Sequence, residues 1–237
     1  MENHDSGPIR RVLVVEDDPV CRRYTSEALR QKGSAVKQAR CLRQALRLAL
    51  AWRPELILTD LHLPDGCGLD LVRRVRAEWP ATHPPPRFVA MTAAAAGRDD
   101  ALAEFFVMVL RKPFGPSELA ALFTPAGNRS PGNHETTAPP RANRCLQRLA
   151  CREFRGHLPR IATLLETGRL DAAAALAHRL AASAAMCGAA ELGQRLQAFS
   201  DACVNRPLTT ELAETFTAAR RLARDFAEGV VPGSESG

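Results

Sequence analysis

Five short runs punctuate the first half of the chain: VLVV (12–15), AVKQA (35–39), LILT (56–59), FVAM (88–91) and VMVL (107–110). Each has the length and apolar content of a strand. Between them lie amphipathic stretches at 19–32, 41–52 and 68–79, with a weaker one around 99–105. A fifth runs from Ser117, read as its N-cap, to just before Pro125. Pro19 suits the first helical position. Strands alternating with helices predict a doubly wound α/β fold with a five-stranded parallel sheet. In such sheets the ligand site lies beyond the carboxyl ends of the strands.

The second half follows a different pattern. Helical periodicity covers 142–167, 170–187, 189–205 and 209–228, with breaks at Gly168, Gly188 and the NRP of 205–207. Thr209 or Thr210 is positioned to cap the last helix. Short connections between four helices predict an all-α four-helix bundle. Residues 125–143, PAGNRSPGNHETTAPPRAN, cannot bury a core and read as a tether. The expected organisation is a tail at 1–8, the α/β domain at 9–124, the linker at 125–143, the bundle at 144–229 and a tail at 230–237.

Composition narrows the function classes. No apolar run approaches the roughly 18–20 residues of a membrane span, and the first residues lack a signal-peptide core. The seven cysteines include no CxxC pair, so they read as reduced thiols of a cytoplasmic protein. The net charge of +6 is spread thinly: residues 1–124 hold 18 basic against 15 acidic side chains, and residues 142–237 hold 12 against 10. With two tryptophans and one tyrosine, there is no concentrated basic and aromatic surface to suggest nucleic acid as a partner.

The residues after each strand carry the chemistry. The first strand is followed by Glu16, Asp17 and Asp18, the third by Asp60, the fourth by Thr92 and the fifth by Lys112. Converging carboxylates repel unless a cation joins them, and hard oxygen ligands suit Mg²⁺. A hydroxyl and an ammonium nearby can hold phosphoryl oxygens while a carboxylate attacks phosphorus. Only three of the 32 basic residues are lysine, so Lys112 stands out as a compact point charge in a place where arginine is the rule.

On these residues, VLVVEDDP, LILTDLHLPDGCGLDL, AMTA and RKPF, the N-terminal part resembles the receiver domain of two-component response regulators, a flavodoxin-like fold. The resemblance implies Asp60 as phosphoacceptor. It implies Mg²⁺ held by Glu16, Asp17, Asp60 and the backbone carbonyl of His62, with Thr92 and Lys112 on the phosphoryl oxygens. Three features depart from the family pattern: Val109 stands where an aromatic switch residue is expected, PATHPPP is added at 80–86, and the last helix is cut short at Pro125. These put the usual dimerising face in doubt. His62 itself reads as a surface histidine.

In the bundle, AHRLAASAAMCGAAEL places His178 among alanines. Its helical neighbours are Ala174, Ala175, Ala181 and Ala182, with Leu176 and Leu180 on the opposite side. That spacing predicts an imidazole on a face walled only by methyl groups and open to a partner. His178, Leu180, Ser183, Ala184, Gly188, Ala189 and Leu192 keep the places of the histidine phosphotransfer (HPt) motif, which this stretch resembles. The resemblance implies that His178 carries a phosphoryl group. The motif's lysine and glycine are replaced by Ala181 and Ala182, which removes a positive charge beside a phosphoryl group of nearly two negative charges. Arg179 points about 100° away from His178.

The expected function is a phosphorelay carrier that exchanges phosphoryl groups with a sensor histidine kinase or another receiver. No glycine-rich ATP-binding motif is visible, so no kinase activity of its own is expected. The tether allows Asp60 and His178 to meet in cis at substantial effective concentration. One alternative is a phosphorylation-switched receiver whose helical domain binds a partner without transfer. A DNA-binding output is disfavoured by the weak charge and the lack of a helix-turn-helix pattern.

Overall fold

A computed structural model describes residues 9–92, 102–123, 144–205 and 210–230. The chain forms two compact units, which part between Ala138 and Pro139.

In the first unit, strands β1 (Arg11–Val15), β2 (Ala35–Ala39), β3 (Leu56–Asp60), β4 (Arg87–Thr92) and β5 (Met108–Arg111) form one sheet in the order β2-β1-β3-β4-β5. All neighbours pair in parallel. The central strands are buried on both faces, which explains their unbroken apolar runs: Val12 to Val15 and Ile57 to Leu58 are wholly inaccessible. Edge strand β2 alternates instead, with Ala35 and Lys37 exposed. Helices α1 (Pro19–Gln31), α2 (Leu42–Trp52) and α3 (Gly68–Glu78) cover the sheet. Each fully buried valine or leucine contributes about 1.5–3 kcal/mol.

Carboxylates start the helices. The Asp18 Oδ1 accepts the N–H groups of Val20 (2.9 Å) and Cys21 (2.8 Å) at the head of α1. At α2, Asp65 performs the same task from a distant loop, accepting from Leu42 (2.7 Å) and Arg43 (3.0 Å).

Two details differ from the sequence reading. A two-residue hairpin, His62–Leu63 with Gly66–Cys67, follows β3 and is too short for periodicity to reveal. The last helix of the first unit, α4 (Pro116–Ala120), is capped at Gly115 and not at Ser117. The reason is Pro116, which takes the first helical position, while Glu118 accepts the Gly115 N–H at 3.0 Å. A 3₁₀ turn, Ala121–Phe123, completes it. Of the stretch expected around 99–105, residues 99–101 lie outside the described residues.

The second unit is four helices: α5 (Arg144–Glu166), α6 (Leu170–Met186), α7 (Ala190–Asn205) and α8 (Thr210–Val230). Each packs on the next and α5 closes on α8. The breaks at Gly168 and Gly188 both sit in left-handed conformations, φ 68° and 82°, that end α5 and α6. α5 continues through Pro159, which lies exposed on its outer side. Thr209 lies outside the described residues. The core carries Phe154, Phe199, Phe216, Leu180 and Leu196, with the Phe199 and Phe216 rings 5.1 Å apart. Gly193 lets α7 approach α6 closely: a Cβ there would lie 3.0 Å from the Ala181 carbonyl oxygen and 3.4 Å from the Ala185 Cβ. Among the described residues no helix is long and apolar enough to cross a membrane.

Candidate functional site

The carboxyl ends of β1, β3 and β5 bring three of the predicted residues together. The Lys112 Nζ lies 2.5 Å from Glu16 Oε2 and 2.6 Å from Asp60 Oδ2, with its side chain only 5% exposed. The other Asp60 oxygen, Oδ1, accepts the His62 N–H at 2.9 Å. Asp17 completes the group: ligand oxygens of Glu16, Asp17 and Asp60 lie within 4.8 Å of one another. Asp18, which follows them in sequence, is instead committed to capping α1.

Burial decides the electrostatics. Glu16 is 1% exposed, and burial, reinforced by Asp60 and Asp18, pushes its carboxyl well above the usual range in spite of Lys112. For Lys112, burial opposes the charge, but Glu16 and Asp60 outweigh it and hold the ammonium well above the ordinary lysine range. The ammonium is the firmer charge because two carboxylates share it. Glu16 Oε2 faces the Lys112 ammonium in a buried ion pair. Three carboxylates gathered within 4.8 Å, with one ammonium shared by only two of them, leave negative charge in excess and fit a divalent cation with hard oxygen ligands.

The surrounding loops hold this arrangement. The Arg22 Nη1 donates to the carbonyls of Glu16 (2.6 Å) and Asp17 (3.0 Å), fixing the acidic turn from α1. Gly68 passes so close to β3 that a Cβ would meet the Asp60 carbonyl oxygen at 2.4 Å. Thr92 ends β4, buried at 4% exposure, and its carbonyl accepts the Lys112 N–H at 2.7 Å. Asp60 pairs with Met91 in register, which puts Thr92 one residue beyond the acid on the neighbouring strand. The Lys112–Pro113 peptide is cis. His62 is exposed, and Val109 is half-buried against the core of the sheet. The roles of Arg22 and Gly68 escaped the sequence reading; the GCG of the predicted acceptor loop was the only visible sign of the close approach.

In the bundle, His178 is half-buried on α6. Its face is narrower than the alanine run suggests. Ala174 (4% exposed) and Ala181 (6%) are buried, and only Ala175 and Ala182 border solvent. Leu180 is fully buried as expected, whereas Leu176 is half-buried and not an inward anchor. Alanine side chains are alike in size, so they do not mark which side a neighbouring helix covers; here α7 covers part of it through Gly193. Arg179 turns away from His178, as its angle predicts, and its Nη2 lies 3.2 Å from His157 Nε2 on α5. His157 also lies 3.3 Å from Glu153.

Comparison with known proteins adds the family. Residues 12–124 match the response regulator receiver domain and residues 146–228 match the Hpt domain. The chain is 36% identical over 131 residues to the KDP operon transcriptional regulatory protein KdpE of Escherichia coli, covering 54% of each chain. It is 30% identical over 202 residues to the sensor histidine kinase AruS of Pseudomonas aeruginosa, covering 78% of this chain and 20% of that one. The chain thus spans about half the length of the first relative and a fifth of the second. The receiver domain of the sensor histidine kinase PA1611 from Pseudomonas aeruginosa, solved with magnesium in its active-site cleft, is 30% identical with a TM-score of 0.43, over 48% of this chain and 93% of that one. A CheY-like receiver domain from Methylobacillus flagellatus is 26% identical with a TM-score of 0.43, over 48% and 95%. The five-stranded parallel sheet with its acidic rim and the helical bundle that follows it are those of a two-component response-regulator receiver joined to an Hpt domain, and the chain belongs to that family.

Proposed function

We propose that the chain is a phosphorelay protein in which Asp60 accepts a phosphoryl group and His178 exchanges one, with domain limits at 9–124 and 144–229. The observation that carries this reading is the buried Lys112 ammonium shared by Glu16 and Asp60, with Asp17 beside them. Glu16, Asp17, Asp60 and the carbonyl of His62 would hold Mg²⁺. Bound there, the ion neutralises charge on the transferring phosphoryl group. An Asp60 carboxylate oxygen attacks phosphorus; the P–O bond forms as the P–N bond to a donor imidazole breaks, and the imidazole keeps the electron pair. Lys112 and Thr92 hold phosphoryl oxygens. At His178 the reverse exchange forms a P–N bond, releases the imidazole proton to solvent and returns a carboxylate on the donor aspartate. The donors and acceptors are a sensor histidine kinase, another receiver, or Asp60 itself, in a cytoplasmic setting and without nucleic acid.

The buried position of Ala181, where the motif carries a lysine, supports a second reading: the bundle binds a receiver without taking its phosphoryl group. Labelling separates the two. The full chain is phosphorylated with a small phosphodonor and Mg²⁺, and the product is divided by acid and base stability in wild type, Asp60→Ala and His178→Ala. An acid-labile phosphohistidine lost in both variants supports relay. If no phosphohistidine forms, even when a partner receiver or kinase is supplied, the binding reading replaces it.

A further inference from the structure

The end of β2, the head of α2 and the first turn of α1 enclose a cleft of about 430 Å³. Its lining includes four arginines, Arg22, Arg40, Arg43 and Arg47, with the amides of Gln38 and Gln44, and contains no carboxylate. Arg43 and Arg47 are four residues apart on one face of α2, and Arg40 joins them from the turn between β2 and α2. Arg22 reaches the same space from α1. Some surface arginines meet acids, Arg11 with Glu55, Arg23 with Glu27, Arg73 with Asp70 and Arg195 with Glu191. No ion pair among the described residues involves any of the four in the cleft. The adjacent acid, Asp65, has both oxygens on the N–H groups of Leu42 and Arg43.

We propose that this cleft binds a compact anion carrying two or more linked phosphates. Four arginines line one concavity, Arg40, Arg43 and Arg47 from its exposed side, and a multivalent anion turns their mutual repulsion into attraction. Planar guanidinium forks match phosphate oxygens two at a time, and the forks of Arg40, Arg43 and Arg47, with the part of Arg22 not given to the Glu16 and Asp17 carbonyls, exceed what one phosphate can engage. The volume lies in the range of small-ligand sites, about 300–1,000 Å³. The polar lining suits a phosphate chain better than an apolar group. Concavity favours a small ligand over the convex acidic face of a protein. Inorganic pyrophosphate and the diphosphate of a nucleotide share this chemistry.

The test is isothermal titration of the full chain at about 0.15 M salt, where exposed charges are largely screened, without divalent cations. Pyrophosphate, ADP and orthophosphate are titrated separately. The expected result is one site per chain, with pyrophosphate bound roughly tenfold or more tighter than orthophosphate. Combining Arg43→Gln and Arg47→Gln should weaken pyrophosphate roughly tenfold, while Asp60→Asn, at the phosphoacceptor, should leave it unchanged. Arg43→Lys with Arg47→Lys keeps the charge, loses the fork and should give an intermediate loss. ADP binding tighter than pyrophosphate points to a nucleotide; equal binding points to the phosphates alone, and both support the site. Absence of pyrophosphate binding below about 1 mM overturns the proposal. So does binding that survives in the glutamine variant, or displacement of pyrophosphate by a short polyglutamate peptide at lower concentration, which would make the cleft a protein-docking face.

Discussion

Replacing Lys112 by alanine removes the only cation that Glu16 and Asp60 share among the described residues. The two contacts, 2.5 and 2.6 Å, are each worth about 6 kcal/mol of gross attraction at an effective dielectric near 20. Desolvation of the three groups offsets most of that. Breaking a buried pair nonetheless costs about 3–5 kcal/mol, because uncompensated charge is left behind. Glu16 already sits well above the usual carboxyl range, so it can relieve part of the cost by binding a proton, and the lower end, about 3 kcal/mol, is expected. For a domain of roughly this size that is a fall in Tm of about 10 °C. The sign with pH follows from the same proton. Without Lys112 the folded-state pKa of Glu16 rises further above its unfolded value of about 4.3, so the folded form binds more protons than the unfolded one. Stability is therefore lost as pH rises through that interval, and the defect is smaller at pH 5 than at pH 8. Both tryptophans, Trp52 and Trp79, lie in the first unit, so tryptophan fluorescence during thermal or urea unfolding reports that unit alone. The measurement is made in EDTA. A variant that melts within about 2 °C of wild type at pH 8, or a defect that grows on acidification, would refute this electrostatic account.

Gly68→Ala should destabilise the receiver by about 1–3 kcal/mol and slow phosphorylation of Asp60 by about a hundredfold, because a Cβ at 2.4 Å from the Asp60 carbonyl must displace the acceptor strand; unfolding curves and labelling rates check both. Gly193→Val should cost the bundle about 1–3 kcal/mol by prising α7 from the Ala181 carbonyl, seen as an earlier loss of helical circular dichroism. Burial, with Arg179 and Arg160, holds His157 below the usual histidine range against the pull of Glu153. The unfolded chain therefore binds the proton first, so bundle stability falls as pH drops from about 6.5 through the folded value. In His157→Gln that slope should flatten; an unchanged slope excludes the histidine as its source.

The receiver was legible in the sequence because its strands are buried on both faces. Val12 to Val15 and Leu56 to Leu58 read as continuous apolar runs; Glu16, Asp60 and Thr92 follow their runs directly, and Lys112 follows the last one after Arg111. Local signals failed where the partner is remote. The cap of α2 comes from Asp65, more than twenty residues away, and the hairpin at His62 is too short to have a period. The pairing of Pro116 with Gly115 outweighed Ser117 as a helix start. In α6 uniform side-chain size concealed which alanines face α7. The spacing of Arg40, Arg43 and Arg47 is visible along the chain, but their convergence with Arg22 exists only once α1 packs beside β2.

The central claim is that Asp60 accepts a phosphoryl group with the help of a cation held by Glu16 and Asp17. Intact-protein mass after incubation with acetyl phosphate, with and without Mg²⁺, tests it most directly in wild type, Asp60→Ala and Glu16→Gln. A base-labile phosphoryl adduct that requires Mg²⁺, disappears in Asp60→Ala and is sharply reduced in Glu16→Gln is the predicted result. An adduct that persists in Asp60→Ala, or forms equally well in EDTA, would contradict the account.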